Sequence, residues 1–249
     1  MTHLEMPRMR PAWAIGLVIG SVVAFAVLIV LGTWQVQRLH WKEELLATID
    51  ARVTSVPRPL SQIETLLAET GDVDYWPART EGTFLHDSER HFFATHQGNS
   101  GYYVYTPLAL DDGRILFVNR GFVPFDRKEP ASRAEGQVEG RVAVEGLARN
   151  RLAEKPSFIV PDNEPDKNIF FWKDLDAMST TAGLPADAEI LPFFLDADDA
   201  PSPGGLPVGG VTMIDMPNNH LQYAITWYGL ALALVAVLGA WIVRSRRKP

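Results

Sequence analysis

The chain has 249 residues, 23 Lys+Arg against 30 Asp+Glu for a net charge of −7, and no cysteine. That balance speaks against nucleic acid as a partner, since binding it needs a basic face to neutralise phosphates. The lack of cysteine excludes a thiol nucleophile, a thiolate copper carrier and any disulfide staple.

The first element is an apolar run without a charge from Pro11 to Gln37. About 20 helical residues cross a hydrocarbon core of about 30 Å, so this run predicts a transmembrane helix over 12–34. It shows no polar face, which sets it apart from a buried soluble helix. It is too long for a signal-peptide core and no A-x-A cleavage site follows it, so it reads as an uncleaved anchor. Only about ten residues precede it, short for a mitochondrial presequence, and the expected home is a bacterial inner (cell) membrane.

Helical spacing continues from Gln35 to Ser55, with Val36, Leu39, Leu46 and Ile49 on one side, until Pro57 and Pro59 end it. A short helix is predicted over Gln62 to Ala68 with Ser61 as its cap. Then the period changes. Runs rich in aromatic and β-branched residues predict strands at Arg79–Leu85, His91–Thr95, Tyr102–Leu110, Arg114–Val123, Val138–Ala148, Ile169–Trp172 and Phe193–Asp196. Asp111-Asp112-Gly113 is a hairpin signal. Leu175–Ala182 reads as a helix, and Asp198–Gly210, rich in Pro, Gly and Asp, as a loop or linker. A second uncharged run, Leu221 to Val243, predicts a transmembrane helix over 220–243.

The expected fold is therefore a membrane protein of α+β class. Two transmembrane helices flank a β-rich domain, an antiparallel sheet or small barrel, over 35–219, with short tails at 1–11 and 244–249. Arg8 and Arg10 precede the first helix, and Arg244, Arg246, Arg247 and Lys248 follow the second. Cytoplasmic flanks collect Lys and Arg, which puts both termini in the cytoplasm and the domain in the periplasm. Trp13 and Trp241 suit the inner interface; Trp34, Tyr223, Trp227 and Tyr228 suit the outer one. Setting aside those terminal basic residues and Glu5 leaves 17 basic and 29 acidic residues, a net of −12 for the domain. Such a surface is repelled by anionic headgroups.

Candidate chemistry is sparse. No G-x-S-x-G occurs. His86, His91 and His96 recur at a spacing of five, which on a strand alternates faces, so they read as surface histidines. Asp196, Asp198 and Asp199 lack the glycine and closing glutamate of a calcium loop and read as a solvated turn. His220 stands apart, at the mouth of the second apolar run. On a helix, Tyr223, Ala224 and Trp227 share its side. An imidazole above a small residue and two aromatics would suit a flat apolar macrocycle with an open axial position; the alternative is a histidine that caps the helix or meets headgroups. Gly16, Gly20 and Ala24 in the first helix, and Gly229 and Ala233 in the second, allow close packing. That packing is expected to bring His40 or Trp34 near His220.

Several stretches, taken in order, resemble the Surfeit-locus-1 family of cytochrome c oxidase assembly proteins. They are Leu31-Gly32-Thr33-Trp34-Gln35 with Arg38, Trp41 and Lys42; Gly101-Tyr102-Tyr103 with Thr106-Pro107-Leu108; Val118 to Pro124; Pro161, Asn163, Asn168 and Trp172 to Asp174; and Asn219 to Tyr228. Phe122 and Phe170 stand where the family often has Trp. The resemblance implies a non-enzymatic chaperone that assists haem a delivery or insertion into the catalytic subunit of a haem-copper oxidase. Haem a is the implied transient cofactor and His220 the implied ligand of its iron, with Tyr223 and Trp227 beside it and His40 a candidate second ligand. Implied partners are the oxidase catalytic subunit, the haem a synthase and membrane lipid. The alternative is a membrane-anchored scaffold that grips an oxidase subunit without binding haem. Arg120 could pair a haem propionate or an acidic neighbour that holds the sheet; the latter is the favoured reading.

Overall fold

The structure is a computed structural model that describes residues 11–214 and 216–246. The charges at Arg8, Arg10, Arg247 and Lys248 on which the predicted orientation rests lie outside the described residues. In chain order the elements are α1 (Pro11–Val53), β1 (Arg58–Pro59), α2 (Leu60–Thr70), β2 (Pro77–Phe84), β3 (Arg90–His96), β4 (Asn99–Leu110), β5 (Ile115–Pro124), β6 (Arg141–Asn150), α3 (Leu175–Thr181), β7 (Ile190–Ala197) and α4 (His220–Arg246). They fall into two units. One holds the helical segments up to Thr48 and from Asp215; the other spans Ile49–Ile214.

In the helical unit, α1 and α4 are both long and apolar enough to cross a membrane. As expected, α1 runs on past its apolar part to Val53. The two helices meet at Gly32, where an added Cβ would come within 2.7 Å of the Tyr228 ring. Beside it, the hydroxyls of Thr33 and Tyr228 lie 3.1 Å apart. Ala224 and Ala231 are buried on α4, with His220, Trp227, Leu234 and Leu238 half-buried at alternating steps of four and three. Such spacing makes one continuous seam. The packing expected at Gly16, Gly20 and Gly229 is not found: a Cβ at any of them would meet nothing within 4 Å. Glycine spacing alone does not select a contact; here the bulky Tyr228 ring needs a gap opposite it, and Gly32 provides one.

In the second unit, strands pair in the order β1-β2-β6-β7-β5-β4-β3, and β2 also pairs with β4. That last pairing closes β2, β6, β7, β5 and β4 into a five-stranded barrel, so closure settles the choice between open sheet and barrel. It is not wholly antiparallel, because β5 with β7 and β1 with β2 run parallel. Inside lie Leu108, Leu116, Val118, Ala148, Phe193 and Leu195, and α2 adds Leu60 and Ile63 to this core. A second apolar layer forms where Leu175 and Met178 of α3 pack with Tyr105, Phe117, Phe170 and Phe194. Asp174 caps α3, accepting from the Ala177 amide at 2.9 Å.

Most element bounds differ from expectation by a few residues, and four differences have a local cause. α2 is capped by Pro59 without a side-chain hydrogen bond, and Ser61 lies inside the helix. β6 starts at Arg141 because Gly140 has φ 78°. The segment 169–172 forms only isolated bridges, Ile169 with Glu164 and Phe170 with Phe92; the amides of Phe171 and Trp172 turn instead to the Asn163 side chain. The segment 198–210 is no free linker. Val208 and Phe122 exchange backbone hydrogen bonds of 2.8 and 2.9 Å, which strap it to β5. Gly121, at φ 120°, allows this, since its Cβ would sit 1.9 Å from the Val208 carbonyl oxygen.

Candidate cofactor site

His220 is the first residue of α4. Its backbone N–H donates to Asn218 Oδ1 at 3.4 Å. Its ring Nδ1 lies 2.7 Å from Oε1 of Gln35 on α1. Gln35 is 8% exposed, whereas the His220 ring is half-buried, and among the described residues its Nε2 makes no hydrogen bond. Of the residues expected around it, Ala224 is buried, Trp227 half-buried and Tyr223 54% exposed, so the site is open on the Tyr223 side. The structure does not bring His40 or Trp34 to His220. His40 is exposed and pairs with Glu43 at 3.4 Å, and Trp34 is exposed too. Gln35 takes the place expected of them. Its signal in the sequence was an amide, one of two with Gln37, at the end of an uncharged apolar run, a costly placement that usually marks a partner.

The donor set fits an axial ligand. One ring nitrogen is engaged by an oxygen that fixes the ring, the other makes no hydrogen bond among the described residues, and Ala224 and Trp227 stand beside it.

The histidines at 86 and 91 are not surface residues. Residues 86–88 form a single 3₁₀ turn rather than strand, which turns His86 inward. Both rings converge on Glu89, with Nδ1 of His86 and Nε2 of His91 each 3.8 Å from its carboxylate. Arg133 donates to that carboxylate and Arg120 lies 3.6 Å from it. Glu89, His91, Arg120 and Arg133 are all buried. Burial pushes the Glu89 pKa up, but the hydrogen bonds and charge of Arg133 and the nearby His91 outweigh this and hold it at about 2. Burial pushes His91 down to about 4, against the pull of Glu89. Nε2 of His86 lies 2.9 Å from the Val138 carbonyl and so carries the proton; Nδ1, 3.3 Å from Arg120, accepts. Asn168, at φ 53°, clasps the group by donating to the Glu89 carbonyl at 2.9 Å and to His91 Nδ1 at 3.0 Å.

The Asn119-Arg120-Gly121 stretch is thereby accounted for. Asn119 donates to Asp196 at 3.0 Å and accepts from the Gly121 amide at 3.1 Å. Arg120 bonds the Gly136 carbonyl and covers the Phe84 ring. Each residue ties strand to strand or strand to loop, as the favoured reading of Arg120 anticipates. Asp196 is likewise no solvated turn: it is buried and accepts from Thr212 at 2.9 Å. A groove of about 340 Å³ passes Asp196, Thr212, Glu145 and Leu147; its hydroxyl is already donated to a carboxylate, and its described lining holds no histidine or lysine to act as a base.

Two apolar spans and a closed barrel with a buried Glu89-centred charge cluster define a membrane-anchored, β-barrel-bearing protein. The chain matches the model of the SURF1 family over residues 22–232. It is 37% identical over 230 residues to the SURF1-like protein of Monosiga brevicollis, covering 87% of this chain and 83% of that one. Against Surfeit locus protein 1 of Rattus norvegicus it is 39% identical over 220 residues, 82% of this chain and 68% of the relative. Against that of Homo sapiens the figures are 37%, 82% and 70%. The chain belongs to the SURF1 family.

Proposed function

We propose that this protein assists assembly of a haem-copper (cytochrome c) oxidase by holding haem a transiently and passing it toward the catalytic subunit. His220 would hold the haem iron through Nε2, with Tyr223 and Trp227 beside the macrocycle, in a bacterial inner membrane with the barrel on the periplasmic face. The carrying observation is one ring nitrogen of His220 tied to Gln35 at 2.7 Å while the other, at the first residue of an apolar helix, makes no hydrogen bond among the described residues. Bound haem supplies its chemistry to the client oxidase, so the protein acts as carrier and not as catalyst. The half-buried ring supports release as well as capture. Purifying the full chain and its His220→Ala variant from cells that make haem a tests this. The variant is expected to lose most of its haem absorbance, and the oxidase to carry less haem a; unchanged haem content would end the ligand assignment.

One feature favours the scaffold reading. Phe158 and Ile159 are 92% and 77% exposed on a turn held by the Lys155–Asp162 ion pair of 2.5 Å. Two large apolar side chains presented in this way could engage a client subunit. A protein that supports oxidase assembly without ever showing a haem spectrum would favour that reading.

A further inference from the structure

A ligand that must both take and release a metal macrocycle needs one nitrogen lone pair held ready, with a donor strength that is not too high. Neutral imidazole carries one proton, and which nitrogen holds it depends on the partner of the other. The partner here is Gln35 Oε1, 2.7 Å from Nδ1 of His220. A carbonyl oxygen only accepts, so Nδ1 carries the proton and Nε2 keeps its lone pair. Gln35 is fixed by its setting. It is 8% exposed and stands one turn beyond Gly32, where α1 meets Tyr228 and where the Thr33 and Tyr228 hydroxyls lie 3.1 Å apart. The helix crossing thus sets the distance that the hydrogen bond spans.

We propose that Gln35 is the positioning residue of the site: it fixes His220 as the Nδ1–H tautomer, and as a neutral acceptor it keeps the imidazole a moderate, releasable ligand. The second half rests on the haem-carrier reading; the first does not. A carboxylate at the same place would draw harder on the Nδ1–H bond and raise ligand basicity, as carboxylate–histidine pairs do at resident metal sites. An amide oxygen draws less. The choice of amide over carboxylate suits a protein that hands its cargo on. It also avoids placing a charge at the end of an apolar span.

The test uses the full chain in detergent micelles. ¹⁵N shifts of labelled histidine, read at alkaline pH without haem, should show His220 as Nδ1–H in the parent and in Gln35→Glu, and shifted toward Nε2–H in Gln35→Leu. An Nε2–H ring in the parent, or a tautomer that ignores Gln35→Leu, overturns the proposal. With haemin as the probe, Gln35→Leu should bind roughly 10-fold or more weakly, the usual loss for an outer-shell partner. Gln35→Glu should bind more tightly, show a lower reduction potential and pass haemin to apomyoglobin several-fold more slowly; a Gln35→Glu protein that releases haemin at the parent rate overturns the releasable-ligand half. If the tautomer follows Gln35 but His220→Ala leaves haemin binding intact, the haem-ligand reading falls and the tautomer assignment stands.

Discussion

Replacing Glu89 by glutamine removes the one carboxylate held between the guanidiniums of Arg120 and Arg133. The shape is kept, but two buried positive charges lose their counter-ion. With its pKa at about 2 against an ordinary 4.5, Glu89 contributes about 3 kcal/mol at neutral pH. Its side chain is 2% exposed, so solvent takes little of this away. Stranding a charge by removing one partner of a buried pair costs about 3–5 kcal/mol, in agreement. For a domain of this size about 2–4 °C of Tm goes with each kcal/mol, so the variant should melt about 6–12 °C lower by near-UV circular dichroism of the full chain in micelles. The sign of the acid response follows from the same shift. A depressed carboxylate pKa gives stability that is present above about 4.5 and lost as pH falls toward about 2. That part of the acid response should vanish in Glu89→Gln. His91, depressed from 6.5 to about 4, gives an acid loss between those values, which should remain. A melting point within about 2 °C of the parent, or an acid loss below pH 4.5 as steep as the parent's, would refute the account of Glu89 as the counter-ion of this cluster.

Gly121→Ala should lower stability by about 2–4 kcal/mol, through strain at φ 120° and loss of the paired Val208–Phe122 hydrogen bonds. The accompanying sign is faster proteolysis within 198–210. Because the chain has no cysteine, introduced pairs report the helix crossing without background. Gln35→Cys with His220→Cys should be joined by a short bismaleimide, since the native side chains touch. Gly20→Cys with Gly229→Cys should not, since neither position has a neighbour within 4 Å; a product from the second pair alone would place the crossing elsewhere.

The two apolar spans, the continuation of α1 beyond its apolar part, most strands, the Asp111-Asp112-Gly113 hairpin and α3 were legible in the chain, because each depends on local periodicity, length and turn chemistry. Gly113, at φ 87°, and the Asp112 side chain that accepts from the Arg114 amide at 3.0 Å bear out the hairpin signal. His220 was also legible as a lone imidazole at the mouth of a span. Its partner was not. Gln35 lies 185 positions away, and only the helix crossing brings the two together. The same holds for Glu89, which gathers Arg120 and Arg133 from distant segments and turns His86 and His91 inward. Sequence spacing alone assigned those rings to the surface. Local pattern states what each segment prefers; barrel closure through the β2–β4 pairing, and the contact at Gly32, arise from the need of distant segments to bury surface against one another. No window along the chain contains that information, so the tertiary structure alone decided which polar side chains would meet.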